Sequence, residues 1–150
     1  MTEVIQILAS FVGAVGFAIL FGQHGRQIPL AGVGSALVWF FCLAVQWCGG
    51  ELHLGVFVAA LLGSFYSELL AELLKVPKTV FLFSVLISLI PGSDLYLAMR
   101  YAIEGNVELF LTHGIRTLTI AFAIALGIIV MVVLTQIRRL IGQKSRPKSK

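Results

Sequence analysis

Charged side chains are scarce in this chain. Its 150 residues include 7 acidic and 11 basic ones, whereas 59% are hydrophobic, and the mean hydropathy is +1.00. A soluble domain of this size needs far more charge on its surface to stay in solution. The composition therefore excludes a soluble globular protein and predicts an integral membrane protein.

Cysteine and histidine are also few, and their spacing excludes several kinds of site. Cys42 and Cys48 are separated by about 9 Å along a helix axis, which is too far for a disulfide. The histidines His24, His53 and His113 fall in or beside three different loops, so we expect no shared metal site. The sequence shows no pattern typical of a nucleophile paired with a base or of a phosphate-binding loop. We therefore expect neither an enzyme nor a bound cofactor.

Long apolar stretches account for most of the chain. Each approaches or exceeds the roughly 20 residues that a helix needs to cross about 30 Å of hydrocarbon, and none alternates like a β-strand. No basic segment precedes the first stretch, so we expect it to be retained rather than cleaved as a signal peptide. The sequence predicts an all-α membrane domain of five transmembrane helices over residues 1–137, followed by a basic tail, 138–150. The five stretches are residues 4–22, 29–48, 52–74, 79–99 and 112–137.

Basic residues are distributed unevenly between the two sides of this layout. Arg100 and Arg116 fall on one side, and the other basic residues all fall on the opposite side. Those others are Arg26, Lys75, Lys78, Arg138, Arg139, Lys144, Arg146, Lys148 and Lys150. Since cytoplasmic loops collect Lys and Arg, we expect the carboxyl terminus in the cytoplasm and the amino terminus outside. The tail lacks aromatic residues, which favours contact with membrane lipid over nucleic-acid binding.

The third apolar stretch carries small and polar residues at helical spacing. Two stripes recur every four residues and therefore line adjacent faces of one helix. Small residues at this spacing let helices approach closely in lipid, so we predict helix packing here. The predicted packing residues are Gly63, Ser64, Ser67 and Ala71, and the same faces hold Ala60, Glu68 and Glu72.

The two glutamates of this stretch lie at different depths. Glu72 is about 4.5 Å along the helix axis from Lys75, so we expect an ion pair between them. Glu68 lies about 10 Å from Lys75 along the axis, where an unpaired charge in hydrocarbon costs roughly 3 kcal/mol or more. We expect Glu68 to be protonated, to contact another protein group, or to face a watery cavity. The first role predicted for Glu68 is in coupling or in the transport pathway, and the second is a plain interhelical hydrogen bond.

The fourth stretch is interrupted in the middle. Residues 79–90 make about 18 Å of apolar helix before Pro91 removes a backbone donor and Gly92 loosens the chain. Irregular backbone at that depth persists only where protein or water satisfies its polar groups. We therefore predict a broken fourth helix, which is either a structural kink or part of a binding site.

The residues after the break favour a binding site. The amino end of the outer half-helix, with Ser93 as the expected cap, offers N–H groups and a positive dipole end to a carboxylate. Asp94 can accept a proton or pair with an ammonium group, and it is also a candidate coupling group. The predicted substrate-binding residues are Ser88, Pro91, Gly92, Ser93, Asp94 and Tyr96. Broken helices near the midplane recur in transporters, and this set suits a small solute that bears a carboxylate.

The residues around the break also resemble a known family. The pattern Pro-Gly-x-x-x-Tyr-x-Ala-Met, which starts at Pro91, is similar to the signature of the threonine/serine exporter family. The segments KVPKTVFLFSVLISLIPG and TLTIAFAIALGI resemble that family too, so the likeness covers nearly the whole chain. Ser88 departs from the pattern, because many members carry proline at this position.

The size and layout are similar to the small subunit of the two-component form of that family. The resemblance implies an exporter of the bacterial inner membrane that works with a separate, larger five-span subunit carrying a soluble domain. It implies threonine or serine as substrate, with a dicarboxylate, succinate in particular, as the alternative. Five is an odd number of spans, so two such units would take opposite orientations and form a 5+5 inverted repeat. A structural or assembly subunit and an uncoupled channel are the other function classes.

Overall fold

The computed structural model describes residues 1–144, and over this range the chain forms helices and no strand. Of the basic tail, Arg146, Lys148 and Lys150 lie outside the described residues. The predicted all-helical fold is confirmed. The helices are α1 (Thr2–Leu20), α2 (Gln27–Trp47), α3 (Leu52–Leu74), α4 (Lys78–Leu86), a 3-10 turn (Ile87–Leu89), α5 (Gly92–Ile103) and α6 (Val107–Lys144).

Four of these helices are long and apolar enough to cross a membrane: α1, α2, α3 and α6. The segments Lys78–Leu89 and Gly92–Ile103 qualify only as a pair, bent by 61° at the break, and they make a fifth span if they cross together. The last helix begins at Val107, before the apolar stretch that starts at residue 112. Its 38 residues give a length of about 57 Å, more than the hydrocarbon thickness of a bilayer, so it must tilt or protrude.

The helices pack around α3. It contacts α2, α4 and α6, while α1 packs mainly on α2, and α5 packs mainly on α6. In α1 only Ser10, Ala14 and Ala18 are buried, and they share one face because they are spaced by four residues. The rest of α1 exposes apolar side chains, as expected of a helix that faces lipid.

The two loops that carry Arg26 and Lys75 lie at the same end of the bundle. Ala18 at the end of α1, Ala31 in α2 and Phe81 in α4 form one buried cluster, against which Leu74 and Val76 pack. We call this end the basic end. The opposite end carries the loop between α2 and α3 and the loop between α5 and α6.

Small residues let α3 approach its neighbours closely. Gly63, Ser64, Ser67 and Ala71 are all buried. A Cβ atom on Gly63 would lie 2.6 Å from Val38 Cγ2 and 2.7 Å from Leu86 Cδ2, so α3 meets α2 and α4 within this chain. The two serine hydroxyls donate to the carbonyls of Ala60 and Gly63, which satisfies them inside α3.

A second close approach joins α3 to α6. A Cβ atom on Gly127 would lie 2.9 Å from the backbone oxygen of Phe57 and 3.0 Å from the backbone nitrogen of Leu61. Only glycine fits at this point without moving one helix away from the other. The contact at Gly127 therefore fixes the distance between the middle of α3 and the middle of α6.

Bulk at Gly63 should destabilise the chain itself. We expect Gly63→Leu to lower the free energy of unfolding by about 1–3 kcal/mol, the usual cost of overpacking a filled interior. The matched control is Gly16→Leu, because nothing lies within 4 Å of a Cβ atom at Gly16 on the exposed face of α1. Thermal unfolding of both variants in detergent measures the difference. Equal melting temperatures would contradict this packing arrangement.

Candidate functional site

The helix break lies where the sequence predicts it. After α4 the chain forms the 3-10 turn, Ile90 is extended at φ −65° and ψ 125°, and α5 starts at Gly92. Pro91 has no N–H to donate, and its ring excludes the helical carbonyl position four residues earlier, so the helix cannot continue through it. The Gly92 N–H donates to the Ile90 carbonyl over 2.8 Å, which holds the turn together.

Ser93 is not the cap of the outer half-helix, so the prediction of a serine cap is wrong. Pro91 occupies the cap position, and no side chain caps α5. The helix starts two residues earlier than a Ser93 cap requires, because Gly92 already has helical backbone. The Ser93 side chain is exposed.

Asp94 lies at the centre of a charged cluster between α5 and α6. It is buried, and its Oδ1 lies 2.9 Å from His113 Nδ1. Its Oδ2 lies 3.4 Å from Arg116 Nε. His113 and Arg116 are three residues apart on α6 and therefore share the face that α5 covers. We call Asp94, His113 and Arg116 the Asp94 cluster.

Tyr101 also contacts this cluster, through the ring of His113. It is two turns after Asp94 on the same face of α5, and its ring stacks on His113 with centroids 5.6 Å apart and planes at 19°. The stacking holds the imidazole flat against α5, so His113 is oriented by Asp94 on one side and by an aromatic ring on the other. Both carboxylate oxygens of Asp94 are engaged by basic groups of α6.

The Asp94 cluster can bind both signs of charge. The Arg116 side chain is 53% exposed, and a guanidinium has five N–H donors, so it can hold a solute carboxylate in addition to Asp94. A solute ammonium group can take the place of one of the basic groups at Asp94. The cluster therefore places a carboxylate and two basic groups together immediately after the break.

The other residues predicted around the break do not converge on Asp94. Ser88 faces α2, where the Ser35 hydroxyl donates to it over 3.0 Å. Ser35 in turn lies 2.8 Å from the hydroxyl of Ser10 on α1. Tyr96 is 66% exposed, because two residues along a helix turn a side chain to nearly the opposite face from Asp94. Gly92 and Ser93 are exposed, and Pro91 is half-buried.

Ser88 belongs instead to a polar layer between α1, α2 and α4. One turn before Ser88, the Ser84 hydroxyl accepts a hydrogen bond from Gln23 Nε2 over 2.7 Å, and Gln23 also donates to the Val80 carbonyl. Gln23 is 4% exposed, and its Oε1 is buried without a hydrogen-bond partner among the described residues. The sequence analysis did not single out Gln23 and therefore missed this role.

Glu68 contacts Lys78, not Lys75, the lysine nearest to it in the sequence. Its Oε2 lies 3.3 Å from Lys78 Nζ, and its side chain is 11% exposed. Lys75 ends α3 in the left-handed conformation, at φ 54°, which reverses the chain and brings the first residue of α4 back over α3. Glu68 therefore contacts another protein group, one of the three predicted alternatives. The expected pair of Glu72 with Lys75 stays a prediction.

Sequence reasoning missed the two basic members of the Asp94 cluster. His113 and Arg116 were placed at the edge of the last span, beside a loop. The available signal was their spacing of three residues inside an apolar helix, which calls for a buried carboxylate on a neighbouring helix.

Among residues 1–144, no three His, Cys, Asp or Glu side chains converge as metal ligands.

The break and the Asp94 cluster both lie within a segment that matches a known family. The family model described as Threonine/Serine exporter, ThrE, matches residues 6–134, more than four fifths of the chain. Comparison with curated proteins and with solved structures yields no match. The family match agrees with the resemblance seen around Pro91, and it includes all of α2 to α5 and most of α1 and α6. The chain is therefore a multi-pass membrane protein of the threonine/serine exporter family.

Proposed function

We propose that this chain is one membrane subunit of a secondary exporter for small solutes that bear a carboxylate, threonine or serine above all. The observation that carries the proposal is the Asp94 cluster, a buried carboxylate held by two basic groups directly after a break in a membrane helix. Ionisable groups inside a membrane are costly and are retained for function by default. Broken helices near the midplane are also where secondary transporters place their substrate sites.

The Asp94 cluster suits an amino acid through its two signs of charge. In the proposed bound state the solute carboxylate contacts Arg116, and the solute ammonium group contacts Asp94. Because the ammonium then replaces a contact that His113 or Arg116 makes, binding rearranges the α5–α6 interface. That rearrangement supplies the step by which a bound solute changes the conformation of the transporter.

A second subunit is proposed to complete the transport path. The chain has up to five spans, and a second five-span unit in the opposite orientation forms the inverted repeat that many transporters use. The larger subunit with a soluble domain is the expected partner. In the proposed orientation the basic end faces the bacterial cytoplasm, so solutes enter there and leave past the Asp94 cluster.

Succinate is the second candidate substrate. Two basic residues, His113 and Arg116, flank the single carboxylate of Asp94 and offer nitrogen groups to the carboxylates of a solute. This pair of basic residues is the observation that supports a dicarboxylate as the alternative.

Solute accumulation in cells distinguishes these candidates. We expect cells that lack this chain to accumulate threonine or serine when fed dipeptides that release them, and a plasmid copy of the chain to restore export. Cells that instead accumulate only succinate would assign the dicarboxylate. If no tested solute accumulates although the partner subunit loses its stability, the chain is an assembly subunit and the exporter proposal is wrong.

A further inference from the structure

A cavity lined by several polar and charged residues lies between α3 and α6, far from the Asp94 cluster. It has a volume of about 180 Å³ and is lined by Phe65, Glu68, Glu72, Met131, Thr135 and Arg138 among others. Thr135 is about 33 Å along α6 from His113, at 1.5 Å per residue. The cavity is therefore at the basic end, on the other side of the membrane from the Asp94 cluster.

Acidic residues line this cavity on α3, and a basic residue lines it on α6. The carboxylates of Glu68 and Glu72 come from α3, and the guanidinium of Arg138 comes from α6. The Thr135 hydroxyl donates to the Met131 carbonyl over 3.0 Å, and its oxygen can also accept a hydrogen bond from a ligand. This arrangement is complementary to a small molecule that carries an ammonium group at one end and a carboxylate at the other.

Lys78 shows how an ammonium group binds at Glu68. Its Nζ lies 3.3 Å from Glu68 Oε2, and a smaller cavity that adjoins the first is lined by both residues. A third cavity of about 200 Å³ continues along Glu68 and Glu72 to Lys78. The side chain of Lys78 is 45% exposed, so it can swing away from the carboxylate when another ammonium group takes its place.

We propose that the cavity between α3 and α6 binds a small zwitterionic amino acid before export, with Glu68 receiving its ammonium group and Arg138 its carboxylate. The volume of about 180 Å³ equals that of about six waters, which is enough room for threonine or serine. Phe65 and Met131 provide an apolar wall for the methyl group of threonine. The inference rests on the proposed exporter function and adds an entry site to it at the basic end.

Protection of an introduced cysteine tests the site without an export measurement. The variant Thr135→Cys is made in the full chain with Cys42 and Cys48 replaced by alanine, and a maleimide labels it in inside-out membrane vesicles. We expect threonine to slow the labelling. The matched control is Gln136→Cys, since Gln136 is next to Thr135 on α6 and at the same end of the bundle, but does not line the cavity. Labelling of this control should not respond to threonine.

Analogues and charge variants identify the contacts. We expect 1-amino-2-propanol, which lacks the carboxylate, and 3-hydroxybutyrate, which lacks the ammonium group, to give no protection at concentrations where threonine protects fully. Glu68→Gln and Arg138→Gln should each remove the protection by threonine. Lys78→Gln should lower the threonine concentration needed by about fivefold, because it removes the competing ammonium group. Lys75→Gln makes the same charge change beside the site and should have no effect.

Labelling protection tests the entry site, and solute export tests the exporter function, so the two proposals can fail independently. If wild-type cells export threonine while Thr135→Cys stays unprotected, the cavity is not an entry site and the exporter proposal stands. If 3-hydroxybutyrate or succinate protects as well as threonine, the cavity selects anions, and the zwitterion inference is wrong. If threonine protects but no solute export depends on the chain, the exporter proposal is wrong and the binding site remains.

Discussion

A chain that carries both Pro91→Ala and Gly92→Ala is expected to insert into the membrane normally and to export no substrate. Two alanines permit a continuous helix across the break, which inserts at least as well as the broken one. The 61° bend between the two half-helices then disappears, and Asp94 moves away from His113 and Arg116 on α6. The Asp94 cluster is lost although each of its residues is still present.

Export and insertion are measured side by side for this double variant. Insertion is read from the amount of chain that remains in the membrane after alkaline extraction. Pro29→Ala is the matched control, because Pro29 is exposed in the first turn of α2, where proline replaces no helical hydrogen bond. This control should export at the wild-type rate. Normal export by the inserted double variant would show that the break is only a kink.

Asp94→Asn should reduce threonine export by about a hundredfold, since removing one partner of a buried charge cluster costs roughly 3 kcal/mol or more. The asparagine amide cannot neutralise Arg116 and cannot hold the ammonium group of the solute. Glu104→Gln is the control for loss of a carboxylate from the same helix. Glu104 contacts Arg100 at 2.7 Å, but both side chains are about half exposed, so this pair contributes little.

The same variant distinguishes a zwitterion from a dicarboxylate. Succinate has no ammonium group, and the negative charge of Asp94 repels it, so Asp94→Asn should keep or improve succinate binding. Binding of threonine, serine and succinate to the wild type and the variant is measured between about pH 5 and pH 8. If the binding of all three is unchanged at every pH, Asp94 has a structural role only.

The helices and the break could be predicted from sequence because their causes are local. An apolar stretch of sufficient length predicts a membrane helix, and a proline followed by glycine ends one, whatever surrounds it. The last apolar stretch was predicted to begin at residue 112, whereas α6 begins at Val107. Residues 107–111 contain Glu108 and follow a loop, so hydropathy alone does not show that the helix already includes them.

The side-chain partners could not be predicted, because they depend on how neighbouring helices are rotated. Asp94 was assigned to a site with Ser88, Ser93 and Tyr96, its neighbours in sequence. The structure turns it instead towards His113 on another helix. Glu68 likewise contacts Lys78 through the reversal of the chain at Lys75, a backbone conformation that no local pattern around Lys75 indicates.

The close contact at Gly127 gives α6 the geometry of a lever. From Gly127, the helix extends about 21 Å to His113 in one direction and about 12 Å to Thr135 in the other. Because the backbones of α3 and α6 nearly touch at Gly127, a tilt of α6 pivots there and moves the two ends of the helix in opposite senses. A tilt that widens the cavity at Glu68 therefore also moves His113 and Arg116, and by a larger distance because they lie farther from Gly127 along the helix.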